Sequence, residues 1–233
     1  MRTIRKLNIF LILLLSAVIA ASAYMIWKDI SLQQKEKKEF EELVKIIEGT
    51  DKSTDTTDSN NGTEEPGETG MIETETQARD LAPLFERNGE CIGWIYIEGT
   101  NVNYPVMHTP NNPQKYLRKN FDGEYSQSGV PFLDARCDVD SGTAIIYGHN
   151  MKNGTQFSNL KNYLDAEFRS SHLTIEFQAK DGIHYYTVVD VVKTNIYDEI
   201  YTQIQNDDTL ILSTCYGSAK SGRLLIIAKE ATG

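Results

Sequence analysis

Hydrophobic and polar positions change rhythm along this chain, and each rhythm predicts a different element. Residues 9–27 form an almost unbroken apolar run, relieved only by Ser16, Ser22 and Tyr24. At about 1.5 Å per residue the run matches a bilayer core and predicts a membrane-spanning helix. Residues 28–48 are charged and helix-prone, with Phe40, Leu43, Ile46 and Ile47 as a thin apolar stripe, and predict a juxtamembrane helix. Residues 49–75 are dominated by Asp, Glu, Ser, Thr, Asn and Gly. So little apolar surface cannot offset the entropy of ordering, which predicts a disordered acidic linker holding the remainder away from the membrane. Residues 76–233 form the one segment of a size and composition for a single core.

Within 76–233 the apolar runs are short and β-rich, at 92–97, 102–107, 130–133, 143–147, 173–177, 183–192, 209–213 and 223–229. Glu98-Gly99-Thr100 is a turn between the first two, and Asp181-Gly182 is a hairpin signal between the fifth and sixth. Phe157, Leu160, Tyr163, Leu164 and Phe168 predict one helical face after the fourth run, with Thr155 as its cap. Eight strands with few helices predict a mostly β fold, closed as a barrel or packed as a sandwich.

The termini and the charge narrow the setting. Arg2, Arg5 and Lys6 in the basic segment 1–8 favour a cytoplasmic N-terminus and a single-pass topology with the domain outside. Lys28, Lys35, Lys37 and Lys38 pull against that orientation. Ala21-Ser22-Ala23 offers a competing reading as a signal-peptide cleavage site, but the apolar run continues past it to Trp27. A net charge of −10 excludes nucleic acid as a partner, because no basic stripe is present to neutralise phosphates. Three cysteines make no even disulfide framework and allow one pair at most; Cys91 and Cys137 read as buried free thiols in preference to a Cys91–Cys137 bridge. No metal site is expected, since the cysteines and histidines lack ligand spacing and the acidic clusters lack a calcium-loop pattern. No cofactor is expected either.

Candidate chemistry gathers at strand ends. Cys215 ends the seventh run, Arg223 opens the eighth, and Tyr147-Gly148-His149-Asn150 closes the fourth. A thiolate attacks, an imidazole takes and returns a proton, and a guanidinium stabilises charge developing on a carbonyl oxygen. Together they are the parts of acyl transfer through a thioester. His108, His172 and His184 imply no such partners.

Ile211-Leu212-Ser213-Thr214-Cys215 followed by Arg223 resembles the Leu-x-Thr-Cys…Arg signature of sortases. Tyr147-Gly148-His149-Asn150-Met151 with Phe157 and Leu160 is similar to the histidine region of class B sortases. Gly93-Trp94-Ile95, Gly99 to Val106, Tyr116-Leu117 before Phe121, and Gly129 to Arg136 with Asp134 continue the class B pattern in order. The resemblance implies an eight-stranded sortase-type barrel behind a membrane anchor, facing outward from a Gram-positive cell. It implies Cys215 as nucleophile, His149 as acid/base, and Arg223 as the residue that positions the substrate and supports the oxyanion. The Tyr216 amide is then a second oxyanion donor, and Ser213, Thr214, Tyr216 and Asn150 lie beside the substrate. The implied substrates are secreted proteins with a C-terminal sorting signal, and the implied acceptor is an amine of a peptidoglycan precursor.

Class B enzymes usually carry a long helix-containing insertion before the cysteine strand, whereas only residues 194–208 stand there in this chain, with 196–201 as a single short helix. The sorting signal therefore stays open between an Asn-Pro-x-Thr type and a Leu-Pro-x-Thr-Gly type. Pilin polymerisation is a further alternative, although no second apolar span follows the last strand. A hydrolase would use the same residues and let water resolve the thioester.

Overall fold

A computed structural model describes residues 2–49, 79–137, 142–202 and 208–231. Its eight strands are β1 (Cys91–Tyr96), β2 (Asn103–Met107), β3 (Phe132–Leu133), β4 (Ala144–Tyr147), β5 (Thr174–Ala179), β6 (Ile183–Asn195), β7 (Thr209–Cys215) and β8 (Gly222–Glu230). They close a barrel in the order β1-β2-β3-β4-β7-β8-β6-β5, which settles the choice between barrel and sandwich. The hairpin at Asp181-Gly182 forms as expected, with the Ala179 amide donating to the Gly182 carbonyl at 2.8 Å. Ile95, Val106, Ile145, Leu212, Leu224 and Ile226 are fully buried together in the barrel's apolar core.

A second apolar cluster lies outside the barrel wall. Leu43 and Ile47 of α1 (Arg2–Glu48) and Leu84 of α2 (Ala82–Arg87) pack on Trp94, Met107, Tyr116 and Phe132. This second layer explains why β1 and β2 read as continuous apolar runs: both of their faces are covered. The stripe at Phe40, Leu43, Ile46 and Ile47 is the docking face of α1. Further back, the side chains from Ile9 to Trp27 stand exposed on the same helix, a stretch long and apolar enough to cross a membrane.

The structure corrects three expectations. The strand expected at 130–133 shortens to Phe132–Leu133, because Pro131 has no amide hydrogen and the Val130 amide donates to the Tyr116 carbonyl instead. The helix after β4 is a 3-10 helix over Phe157–Leu164, followed by α3 (Ala166–Ser171). Thr155 does not cap it; Gln156 holds that place and its side chain makes no capping bond, while Asp165 caps α3 by accepting from the Phe168 amide. The acidic linker expected at 49–75 lies outside the described residues apart from Gly49. Its flanks, however, meet: the Asp80 amide donates to the Ile47 carbonyl at 3.2 Å, and Arg79 pairs with Glu176.

Candidate active site

Three neighbouring strands carry the candidate residues in a row. β4 and β7 run parallel with Tyr147 opposite Ser213, so His149 and Cys215 each lie two residues past the same paired position. β7 and β8 run antiparallel with Cys215 directly opposite Arg223. Parallel or antiparallel, adjacent strands lie about 4.8 Å apart. Cys215 thus stands between His149 on one side and Arg223 on the other. All three line one cleft of about 510 Å³, within the usual range for a ligand site.

Cys215 is the one exposed residue of β7; the six before it are buried. Gly148 lets the histidine turn form, because a Cβ there would meet the Phe157 ring at 2.5 Å. The His149 carbonyl then accepts from the Phe157 amide at 2.9 Å, anchoring the turn to a fully buried aromatic residue. The His149 Nε2 lies 3.0 Å from the Leu117 carbonyl oxygen. A carbonyl only accepts, so Nε2 carries the hydrogen and Nδ1 is the basic atom of the neutral ring. The Arg223 Nη1 donates to the Lys220 and Gly222 carbonyls at 3.0 and 2.8 Å, fixing the guanidinium at the hairpin.

The four residues expected beside the substrate divide into two pairs. Ser213 and Thr214 line the cleft, but both are buried and bonded: Ser213 Oγ to the Tyr201 hydroxyl at 2.8 Å, and Thr214 Oγ1 to the Gly148 carbonyl at 2.8 Å. Asn150 and Tyr216 stand outside the cleft lining. The Asn150 side-chain amide donates to the Cys215 carbonyl at 3.0 Å and ties the histidine turn to the cysteine strand. The Tyr216 amide, expected as an oxyanion donor, donates to the Gly222 carbonyl at 3.0 Å and closes the β7–β8 ladder. In this structure that hydrogen is already committed.

Sequence reading missed the floor of the cleft. Phe132, Tyr147 and Tyr201 form it, with the Tyr147 and Tyr201 rings stacked at 6.3 Å. The Tyr147 hydroxyl donates to Asp134, which also pairs with Arg136 at 2.7 Å. Burial pushes the Asp134 carboxyl up, but bonds from Arg136 and Tyr147 outweigh it and hold it at about 2. Tyr147 stood in the histidine-region motif without a role of its own; nothing in the sequence pointed to the Leu117 carbonyl, a backbone atom.

Burial pushes the His149 pKa below its ordinary 6.5, the Leu117 carbonyl opposes this, and Arg118 and Arg223 add to the depression. The ring is therefore neutral at pH 7. The unfolded chain takes up this proton first, so stability held above about pH 6.5 is lost as pH falls and levels off below the folded value. A His149→Gln variant should lose less of its urea midpoint between pH 7 and pH 5 than the parent. Equal losses would show that His149 is not depressed.

Comparison with known proteins gives the arrangement a context. A family model described as a sortase domain matches residues 95–231. Sortase B of Staphylococcus aureus is 34% identical over 134 residues, 54% of this chain and 54% of that protein. Sortase B of Listeria monocytogenes is 36% identical over 110 residues, 46% of this chain and 43% of that protein. This chain thus spans about half the length of the curated relatives it matches. Among solved structures, sortase B of B. anthracis aligns with a TM-score of 0.64 at 27% identity, covering 88% of this chain and 100% of that one. A Staphylococcus aureus sortase B–substrate complex aligns with a TM-score of 0.56 at 28% identity, covering 64% and 83%.

Proposed function

This chain belongs to the sortase family, its relatives are class B members, and we propose that it is a membrane-anchored cysteine transpeptidase. The observation that carries the reading is the row His149–Cys215–Arg223 on three adjacent strands, opening into one cleft. Nδ1 of His149 takes the Cys215 proton, and the thiolate attacks the carbonyl carbon of a Thr–Gly-like bond in a sorting signal. Arg223 holds the oxygen as negative charge gathers on it. The imidazolium then gives its proton to the departing amine, leaving an acyl thioester on Cys215. An acceptor amine loses a proton to Nδ1, attacks the thioester and releases the thiol. A peptidoglycan precursor supplies that amine in this reading, and the exposed apolar stretch of α1 holds the enzyme in the membrane, N-terminus inward, with the barrel outside.

The sorting signal meets an aromatic floor and a short wall. Only residues 196–208 separate β6 from β7, and their described part is one 3-10 turn, Glu199–Tyr201, capped by Asp198. Purified full-length protein incubated with peptides of both signal types and an amine acceptor tests the reading. The expected product is the peptide's acyl part joined to the acceptor amine, seen by mass spectrometry. A free acid as sole product, whatever the acceptor concentration, would replace transpeptidation with hydrolysis.

A further inference from the structure

The helix carrying the apolar stretch does more than hold the barrel. Glu36 of α1 is buried at 4% exposure, a costly place for a carboxylate unless its oxygens are bonded. They are bonded to one loop: the Ser126 hydroxyl at 2.9 Å, the Gln127 and Ser128 amides, and the Ser128 hydroxyl. One turn further on, Phe40 packs edge-on against Tyr104 with ring centroids 5.0 Å apart.

The loop that Glu36 grips is the one that supports His149. Ser126 Oγ accepts from the Gly129 amide at 3.0 Å, and the Ser126 amide donates to the Arg118 carbonyl at 3.1 Å. Gly129 adopts a φ of +61°, and a Cβ on it would meet the Tyr116 and Leu117 carbonyl oxygens at 2.4 and 2.7 Å. The loop therefore lies directly on the segment whose Leu117 carbonyl takes the His149 hydrogen. On the other side, the Gly129 carbonyl accepts from Gln156 Nε2 at 3.1 Å, and Tyr104 accepts from the Gln156 amide at 3.0 Å. Gln156 precedes Phe157, whose amide binds the His149 carbonyl. Both ends of the histidine turn lead back to the same face of α1.

We propose that Glu36 is a positioning residue for His149, acting through the 126–129 loop, so that the docked anchor helix is part of the catalytic apparatus. The inference rests on His149 being the acid/base. Misplacing a reacting group by about 1 Å costs up to a factor of ~10². In full-length protein in detergent micelles, Glu36→Ala should lower kcat about ten- to a hundredfold with KM little changed. Glu36→Gln keeps an acceptor oxygen and should restore most of the rate. Ser126→Ala breaks the same link from the barrel side, leaves α1 intact, and should reproduce the loss if Glu36→Ala fails to fold. Leu43→Ala is the control: it loosens α1 against Leu84 and Trp94, away from the histidine, and should lower Tm without lowering kcat.

A second readout does not require turnover. In selectively ¹⁵N-histidine-labelled protein, His149 should show a fixed Nε2–H tautomer that Glu36→Ala or Ser126→Ala renders mixed. Should the parent turn over no sorting peptide, the acyl-transfer reading fails while this spectrum still tests the coupling. An unchanged tautomer in both variants, or a kcat loss in Leu43→Ala matching that in Glu36→Ala, overturns the proposal.

Discussion

Cys215→Ala is expected to abolish transpeptidation, with a loss on the order of 10⁴-fold or more, because no other thiol lines the cleft and the Ser213 and Thr214 hydroxyls are buried in bonds of their own. The fold should hardly notice. Cys215 is exposed at the last rung of β7, and exposed substitutions away from special features stay within about 0.5 kcal/mol. A matched Tm together with lost activity would separate chemistry from unfolding. The two other thiols supply an internal control. Cys91 and Cys137 are buried, and burial pushes the Cys91 thiol up to about 12 and the Cys137 thiol upward as well. A thiol reagent under native conditions should therefore label the parent once and Cys215→Ala not at all. With parent enzyme and sorting peptide but no acceptor, intact mass should show an acyl adduct that hydroxylamine removes. Residual turnover in Cys215→Ala, or an adduct elsewhere, would end the thioester mechanism.

The reasons this row was legible in sequence are physical. A seven-residue strand, a short turn and a nine-residue strand form a hairpin, and a hairpin places its last and early residues opposite one another. Cys215 and Arg223 had to meet once those two runs were read as strands. His149 required more, because the parallel β4–β7 pairing joins segments 66 residues apart by Cα register and no local pattern encodes it. The family resemblance supplied that link. The 3-10 helix was written in the spacing: Phe157, Leu160 and Tyr163 recur every three residues, the period of a 3-10 helix, and all three are fully buried. Leu164 and Phe168 blurred it into an α-helical face.

What escaped the sequence belongs to the backbone or to distant pairs. The Leu117 carbonyl carries no side-chain signature, and the Tyr216 amide could be assigned only after its hairpin partner was seen. Glu36 sits in a charged helix where any glutamate reads as solvated; its burial depends on serines 90 and 92 positions away. The contact between Ile47 and Asp80 is of the same kind, a backbone bond between residues far apart in the chain.

Arg223→Lys keeps the charge and removes the planar fork, and turnover should fall by ~10²- to 10³-fold, the usual cost of one oxyanion donor. The guanidinium is braced by two turn carbonyls through Nη1 and Arg223 lines the cleft, which leaves Nε and Nη2 as donors for a substrate oxygen. An ammonium can hold the turn or reach the substrate oxygen, but its three donors share one atom and do not do both. The loss should fall on kcat more than on KM, because charge on the oxygen exists chiefly in the transition state. The pH profile separates geometry from charge. Arg223 is one of the cations that depress His149, so Lys should leave the acid limb of kcat/KM near its original place. Arg223→Ala should lose the rate and also shift that limb upward, toward the ordinary histidine value of 6.5. A lysine variant with near-normal turnover would reject the oxyanion role. An alanine variant with an unmoved acid limb would show instead that His149 does not feel Arg223 across the cysteine between them.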